Sequence, residues 1–220
     1  MNKTIALIPA RGNSKRLPGK NLLLLNRLPL IAHSIIYAQA NSALIDEVYV
    51  STDCPKIKEV ALMYGAKVID RPTEISGDLE PTVSALKHVL ENIDTVDSVV
   101  LLQPTNPLRP EKLLQKAFEV YSSKPVDSLF SVTRNRQKFG KIIDNRYIPF
   151  NYKLGQRSQD LEPLYFENGL LYISKANLIL KDVILGELAI PFIVDHPFAK
   201  VDIDTQEDFD FAEYVISRSL

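Results

Sequence analysis

Tryptophan is absent from this 220-residue chain, cysteine occurs once, at Cys54, and histidine three times, at His33, His88 and His196. A single cysteine excludes an intramolecular disulfide and any multi-cysteine zinc site, and it fits a reducing compartment. The histidines are scattered, and His33 and His88 fall in helical patterns, so they read as structural or surface residues. There is no Gly-x-Ser-x-Gly elbow, and Cys54 sits in no nucleophile pattern, which disfavours a covalent hydrolase. No run approaches the ~18 apolar residues of a membrane span. The apolar N-terminal stretch is too short for a secretory signal and runs into charge at Arg11. The expectation is a soluble, cytoplasmic protein with no membrane partner. A formal net charge of −1 and a pI near 6.3 provide no diffuse basic field, so nucleic acid is not an expected partner either.

What is present is ordinary for a globular protein: 45% apolar and 24% charged residues, enough for one core over residues 1–220. Strand-length apolar runs recur at Thr4–Pro9, Glu47–Ser51, Ala66–Ile69, Ser98–Leu102 and Ser128–Val132. Between them lie helical patterns at Pro29–Asn41, Lys56–Tyr64, Pro81–Glu91 and Pro110–Tyr121. That alternation predicts an α/β fold with a doubly wound, mostly parallel sheet. The pattern breaks after Val132. Phe139–Ile143, Asp144-Asn145 and Arg146–Phe150 read as strand, tight turn and strand, because Asp and Asn tolerate the positive φ of hairpin turns. Residues from Thr133 to about Pro163 therefore form an arm off the main sheet. Its apolar and aromatic residues, Phe139, Tyr147, Ile148, Phe150 and Tyr152, suggest either a partner surface or a hairpin folded onto its own subunit.

The segment from Leu7 to Asn21 carries the strongest functional signal. An apolar strand runs into a loop with Gly12 and Gly19, Pro9 and Pro18, and four cations, Arg11, Lys15, Arg16 and Lys20. Glycines let backbone N–H groups turn inward as an anion nest, and guanidinium forks match phosphate oxygens. In an open α/β sheet, the loop after the first strand faces the ligand crevice. The pattern is neither the dinucleotide GxGxxG nor the P-loop GxxxxGK[ST]. Further along, Asp202 and Asp204 stand two apart in Val201–Thr205, so on an extended segment both project to one face. They either grip one hard cation such as Mg²⁺, or Asp204 or Thr205 caps the helix that begins near Gln206. Gln103 follows the strand ending at Leu102 and reaches the same crevice edge as the first loop. Arg71 follows the third strand run and Thr82 opens the next helix, where turn and cap roles are equally open.

At these residues the chain resembles the acylneuraminate cytidylyltransferases, which make CMP-sialic acids. Ile8-Pro9-Ala10-Arg11, Asn13 to Pro18 and Lys20-Asn21 look like the family's opening motif, and Leu101–Arg109, Arg157–Leu161, Tyr165–Tyr172 and Val201–Asp208 follow in the family's order. The related enzyme that activates Kdo usually has proline where this chain has Asn21. The resemblance implies transfer from CTP to a nine-carbon 2-keto-3-deoxy sugar acid, with pyrophosphate released. It also implies a homodimer or tetramer assembled through the arm. By that likeness Ala10, Arg11, Asn13, Lys15, Lys20, Asn21, Arg71 and Thr82 hold the nucleotide. Gln103, Arg157, Gln159, Asn168, Gly169 and Tyr172 meet the sugar acid, and Asp202 and Asp204 hold Mg²⁺. Arg11, Lys20, Asp202 and Asp204 would be the catalytic set. The chain departs from the pattern at Ser158 and at Phe166-Glu167, where many members carry arginines that meet the sugar carboxylate. Alternatives are the same chemistry on Kdo or a legionaminic-type acid, with CTP or another nucleotide, or a nucleotide-sugar binding subunit without turnover.

Overall fold

The computed structural model describes residues 3–218. β1 (Thr4–Pro9), α1 (Leu30–Ala40), β4 (Glu47–Thr52), α2 (Pro55–Met63), β5 (Lys67–Asp70), α3 (Thr82–Glu91), β6 (Ser98–Leu101) and α4 (Leu113–Ser123) make the alternating first half. A small β2–β3 ribbon (Leu24–Leu25 and Leu28–Pro29) precedes α1. β7 (Ser128–Asn135), the hairpin β8–β9 (Gly140–Ile143 and Arg146–Pro149), β10 (Leu164–Lys175), α5 (Ala176–Ile179), β11 (Ala189–Ile193) and α6 (Gln206–Ser217) follow.

The main sheet runs β11-β7-β10-β6-β1-β4-β5. All its pairings are parallel except those of β10, which is antiparallel to both β6 and β7. From β1 the chain builds outward through β4 and β5, then returns to lay β6 on the other side of β1. Strand order thus reverses between β1 and β6, and the loops leaving those two strands flank the crevice where open α/β sheets bind ligands.

Both faces of the sheet are covered, which is why β1 reads as a continuous apolar run. Ala6 and Ile8 pack with Ile31, Ile35, Ile57, Leu114 and Ala117, under α1, α2 and α4. Ile5 and Leu7 face the other way, toward Val83, Leu86, Val89 and Ile179 of α3 and α5. A third cluster joins Leu17, Leu25, Leu30 and Leu108 to Val201, Ile203 and the inner face of α6, Phe209, Ala212 and Val215. This last cluster fixes the segment carrying Asp202 and Asp204 at the crevice.

The expected strands and helices stand within a few residues of their sequence limits. α4 begins three residues later than Pro110, because Leu113 N closes a turn onto the Pro110 carbonyl first. β7 continues through Thr133 to Asn135, so the arm leaves the sheet later than expected. In the hairpin, Asp144 and Asn145 take φ of 47° and 62°, the positive pair that a two-residue hairpin turn needs. Among the described residues β8 pairs only with β9, and Ile142, Ile143, Tyr147, Ile148 and Phe150 are exposed.

Candidate active site

The loop leaving β1 is clamped before it offers any charge. Ala10 N donates to the Ser51 carbonyl at 2.9 Å, and Gly12 N to Asp53 Oδ1 at 2.8 Å. A Cβ on Gly12 would stand 2.8 Å from the Cys54 Cβ, so this close approach to the neighbouring strand end requires glycine. Asn21 is buried, and its Nδ2 donates to the Arg11 carbonyl at 3.0 Å, bracing the loop from inside. Gly19, with φ of 67°, turns the chain into a short helical turn that drives Lys20 inward.

The four loop cations meet two carboxylates. Lys20, only 8% exposed, donates from Nζ to the Ile203 carbonyl at 2.8 Å and to Asp204 Oδ1 at 2.9 Å. Arg16 Nη2 holds the other oxygen of Asp204 at 2.7 Å. Arg11 Nη1 reaches the Gly77 carbonyl at 2.9 Å and Asp78 Oδ1 at 3.0 Å, while Lys15 Nζ reaches Asp78 Oδ2 at 2.5 Å. The two cations hold the Asp78 carboxyl below its ordinary range, Lys15 most of all. Sequence reasoning missed Asp78, because its partners lie 60 or more residues away and no local pattern marks it.

Between these two anchors lies a cleft of about 270 Å³, walled by Arg11, Lys15, Lys20, Asn21, Arg71, Thr82, Gln103 and Asp204. Arg71 lines the cleft and is tethered by Ser51, which accepts Nε at its hydroxyl (3.0 Å) and Nη2 at its carbonyl (2.7 Å). Burial lowers its pKa, with the Arg11 charge adding to that and Asp53 opposing it. Asn13 is exposed and lines a separate outer hollow with Ser14, Lys15 and Asp78.

The acidic pair behaves as the spacing predicts: Val201 and Ile203 are buried, so Asp202 and Asp204 share the outward face. Thr205, not Asp204, caps α6, with a reciprocal box to Asp208. Asp202 is exposed and does not itself line the cleft, yet its carboxyl is crowded enough that desolvation raises its pKa. Asp204 and Asp208 push it the same way, and the Thr105 hydroxyl and Lys20 oppose them. No third acidic, histidine or cysteine ligand joins the pair among the described residues.

The residues expected to meet the sugar acid divide. Gln103 lines the cleft, with its carbonyl held by Arg109 Nη2 at 2.9 Å. Tyr172 lies nearby on β10; its hydroxyl donates to Glu167 Oε2 at 3.1 Å, and burial, then Glu167, then Asp202 hold it protonated. Asn168 is placed differently. Its Oδ1 accepts from the Ser131 hydroxyl (2.6 Å) and Leu170 N (3.1 Å), and its Nδ2 donates to the Thr133 hydroxyl (2.9 Å), so the buried amide is consumed inside the wall. Gly169, at φ of 73°, forms the bulge behind it. Arg157 and Gln159 are exposed on the arm, where Arg157 forks onto Asp160 at 2.8 and 3.1 Å; neither lines this chain's cleft.

Comparison with known proteins fits this geometry. The cytidylyltransferase family model matches residues 5–217. The N-acylneuraminate cytidylyltransferase of Streptococcus agalactiae serotype V is 34% identical over 94% of this chain and 52% of its own length. The CMP-N,N'-diacetyllegionaminic acid synthase of Legionella pneumophila is 36% identical over 96% of this chain and 95% of its own. Among solved structures, a CMP:2-keto-3-deoxy-manno-octonic acid synthetase complexed with CTP superposes with a TM-score of 0.74 over all of both chains at 18% identity, a likeness of fold. The chain spans about half the length of the first relatives it matches.

Proposed function

This chain belongs to the cytidylyltransferase family, and we propose that it joins CTP to a nine-carbon 2-keto-3-deoxy sugar acid, yielding the CMP-sugar and pyrophosphate. The observation that carries the reading is the cleft at the strand-order reversal. The cleft presents Arg11, Lys15, Arg16 and Lys20, with Asp204 held beside Arg16 and Lys20 and Asp202 two residues before it. A triphosphate needs the cations, and a metal ion shared with its phosphates suits the carboxylates.

In this mechanism the anomeric hydroxyl of the sugar acid attacks the α-phosphorus in line, and pyrophosphate leaves. Arg11 and Lys15 neutralise the phosphate chain, and Lys20 meets the charge that develops as the bond to the leaving oxygen breaks. Arg71, fixed by Ser51, offers its remaining N–H groups to the pyrimidine edge, and Thr82 at the start of α3 meets the ribose or base. Ala10 and Asn21 keep the loop in shape from behind. Gln103, with a side-chain amide that both donates and accepts, orients the acceptor beside Tyr172.

Asp202 and Asp204 fit a Mg²⁺ ion. They lie on one face, and Asp202 sits among like charges that a cation would relieve. With only two carboxylates, the rest of the shell falls to substrate phosphates and water. Bound there, Mg²⁺ would supply charge stabilisation on the phosphate oxygens.

Asn21 supports a sialic-type over a Kdo-type acceptor, because its amide makes the Arg11 carbonyl bond that a proline cannot. The 36% identity to the legionaminate enzyme over nearly its whole length makes a legionaminic-type acid the second reading. The exposed apolar hairpin supports assembly as a homodimer, and a lone cysteine suits the reducing cytoplasm.

The test is pyrophosphate release from CTP, GTP, UTP and ATP with Mg²⁺ against N-acetylneuraminate, Kdn, Kdo and a legionaminic-type acid, with EDTA as control. Metal-dependent release with CTP and one nine-carbon acid is expected. Silence across the panel with nucleotide still bound would favour a binding subunit instead.

A further inference from the structure

We propose that Asn106 is a positioning residue for the carboxylate pair, holding the segment that bears Asp202 and Asp204 against the loop that bears Gln103. The inference rests on the reading of that pair given above. Asn106 has no exposed surface. Its Nδ2 donates twice, to the Val201 carbonyl at 3.0 Å and to the Asn168 carbonyl at 3.1 Å. The adjacent Thr105 carbonyl accepts from Ile203 N at 2.8 Å. These bonds bracket Asp202 on both sides, at the residue before it and the residue after it. Residues 201–203 belong to no strand ladder, so the bracket does the work that a ladder does elsewhere.

The bracket is itself held rigidly. A Cβ on Gly169 would stand 2.5 Å from Asn106 Oδ1, so the β10 bulge presses on the Asn106 amide at a distance only glycine permits. At the far end of the loop, the buried Arg109 donates to the Gln103 carbonyl (2.9 Å), the Leu170 carbonyl (2.7 Å) and the Ser34 hydroxyl (3.0 Å). One loop thus carries Gln103 at its start and fixes the carboxylate pair through its middle. The distance between acceptor and phosphate-side groups is set by Asn106. A misplacement on the order of 1 Å at such a site costs roughly a hundredfold in rate.

The experiment compares Asn106→Ala and the milder Asn106→Ser with Thr133→Val. The Thr133 change also strips a partner from Asn168, but touches nothing in residues 201–203. Three quantities are read: CTP affinity in EDTA, Mn²⁺ affinity of the CTP complex by electron paramagnetic resonance, and kcat and KM with the acid identified by the acceptor panel. For at least one Asn106 variant, CTP affinity in EDTA is expected to stay within about threefold. Its Mn²⁺ affinity should fall about tenfold and its kcat roughly a hundredfold, with Thr133→Val near wild type in both. Equal losses in Thr133→Val, or unchanged Mn²⁺ affinity in an Asn106 variant that still binds CTP, would overturn the proposal. So would loss of CTP binding in both Asn106 variants, since the residue would then serve the fold at large. A wild-type protein that neither binds Mn²⁺ with CTP nor releases pyrophosphate would remove the functional reading first, and this inference with it.

Discussion

Replacing Lys20 by methionine separates the fold from the chemistry at a single atom. The Nζ group donates to the Ile203 carbonyl at 2.8 Å and to Asp204 Oδ1 at 2.9 Å, and its side chain is 10% exposed. Hydrogen bonds involving a charged group contribute roughly 1.5–3 kcal/mol each. The bond to Asp204 belongs at the lower end, because that carboxylate is 31% exposed and keeps Arg16 on its other oxygen. Methionine refills most of the stem, so the loss is mainly polar, about 3–4.5 kcal/mol in total. For a chain of this size that is a fall of roughly 6–18 °C in Tm. Thermal unfolding by circular dichroism in EDTA, without nucleotide, measures it. The same variant should lose about a hundredfold or more in kcat, as expected for one lost donor to a charged transition state. A Tm within about 2 °C of wild type would refute the inward placement of Lys20. A large fall in Tm with kcat intact would leave Lys20 as a strut only.

Asp78→Asn should tighten CTP binding about threefold to tenfold, by freeing Arg11 and Lys15 from an exposed carboxylate; unchanged affinity by calorimetry would mean that Asp78 does not compete with phosphate. Hydrogen bonds from Lys3, then Lys67, then Tyr49 pull the Glu47 carboxyl down to about 2. Its stabilisation is therefore in place above the ordinary value of 4.5 and is lost as pH falls toward 2, so Glu47→Gln should lower Tm at pH 7 but leave it unchanged near pH 2. A Tm difference that persists at pH 2 would contradict this. Gly169→Ala combines a φ of 73° with a Cβ 2.5 Å from Asn106 and should cost on the order of 1–3 kcal/mol in chemical denaturation. On the arm, Ile142→Asp should convert dimer to monomer in sedimentation velocity, whereas a monomeric wild type would remove the arm's proposed role.

The parts legible in the sequence are those whose cause is local. β1 reads as buried on both faces because it is apolar throughout, the hairpin because Asp144-Asn145 accepts positive φ, and the α6 start because Thr205 and Asp208 stand three apart. β10 was not legible as a strand, because it mixes exposed Tyr165, Phe166 and Glu167 with buried Leu170, Leu171 and Ile173 across a bulge that shifts its alternation. Asn168 shows the same limit within the site. Its motif suggests a ligand contact, yet its amide is consumed by Ser131, Thr133 and Leu170 N, partners that strand pairing alone supplies.

The loop cations were legible as a cluster after β1, but their division into two groups was not, and on the proposed function that division sets what a triphosphate must displace. Lys20 and Arg16 meet Asp204 on a segment anchored by buried Val201 and Ile203, while Arg11 and Lys15 meet Asp78 on a loop with no buried apolar side chain from Thr73 to Glu80. Lys15 is 81% exposed, so its pair with Asp78 is solvated and cheap to break, and phosphate oxygens offer both cations more acceptors than one carboxylate does. Lys20 has no such freedom, since the Ile203 carbonyl holds it whatever Asp204 does. On the proposed function, an entering nucleotide would therefore exchange with Asp78 more readily than with Asp204, which puts the loosely held cations on the phosphate chain and the fixed one, Lys20, at the leaving oxygen.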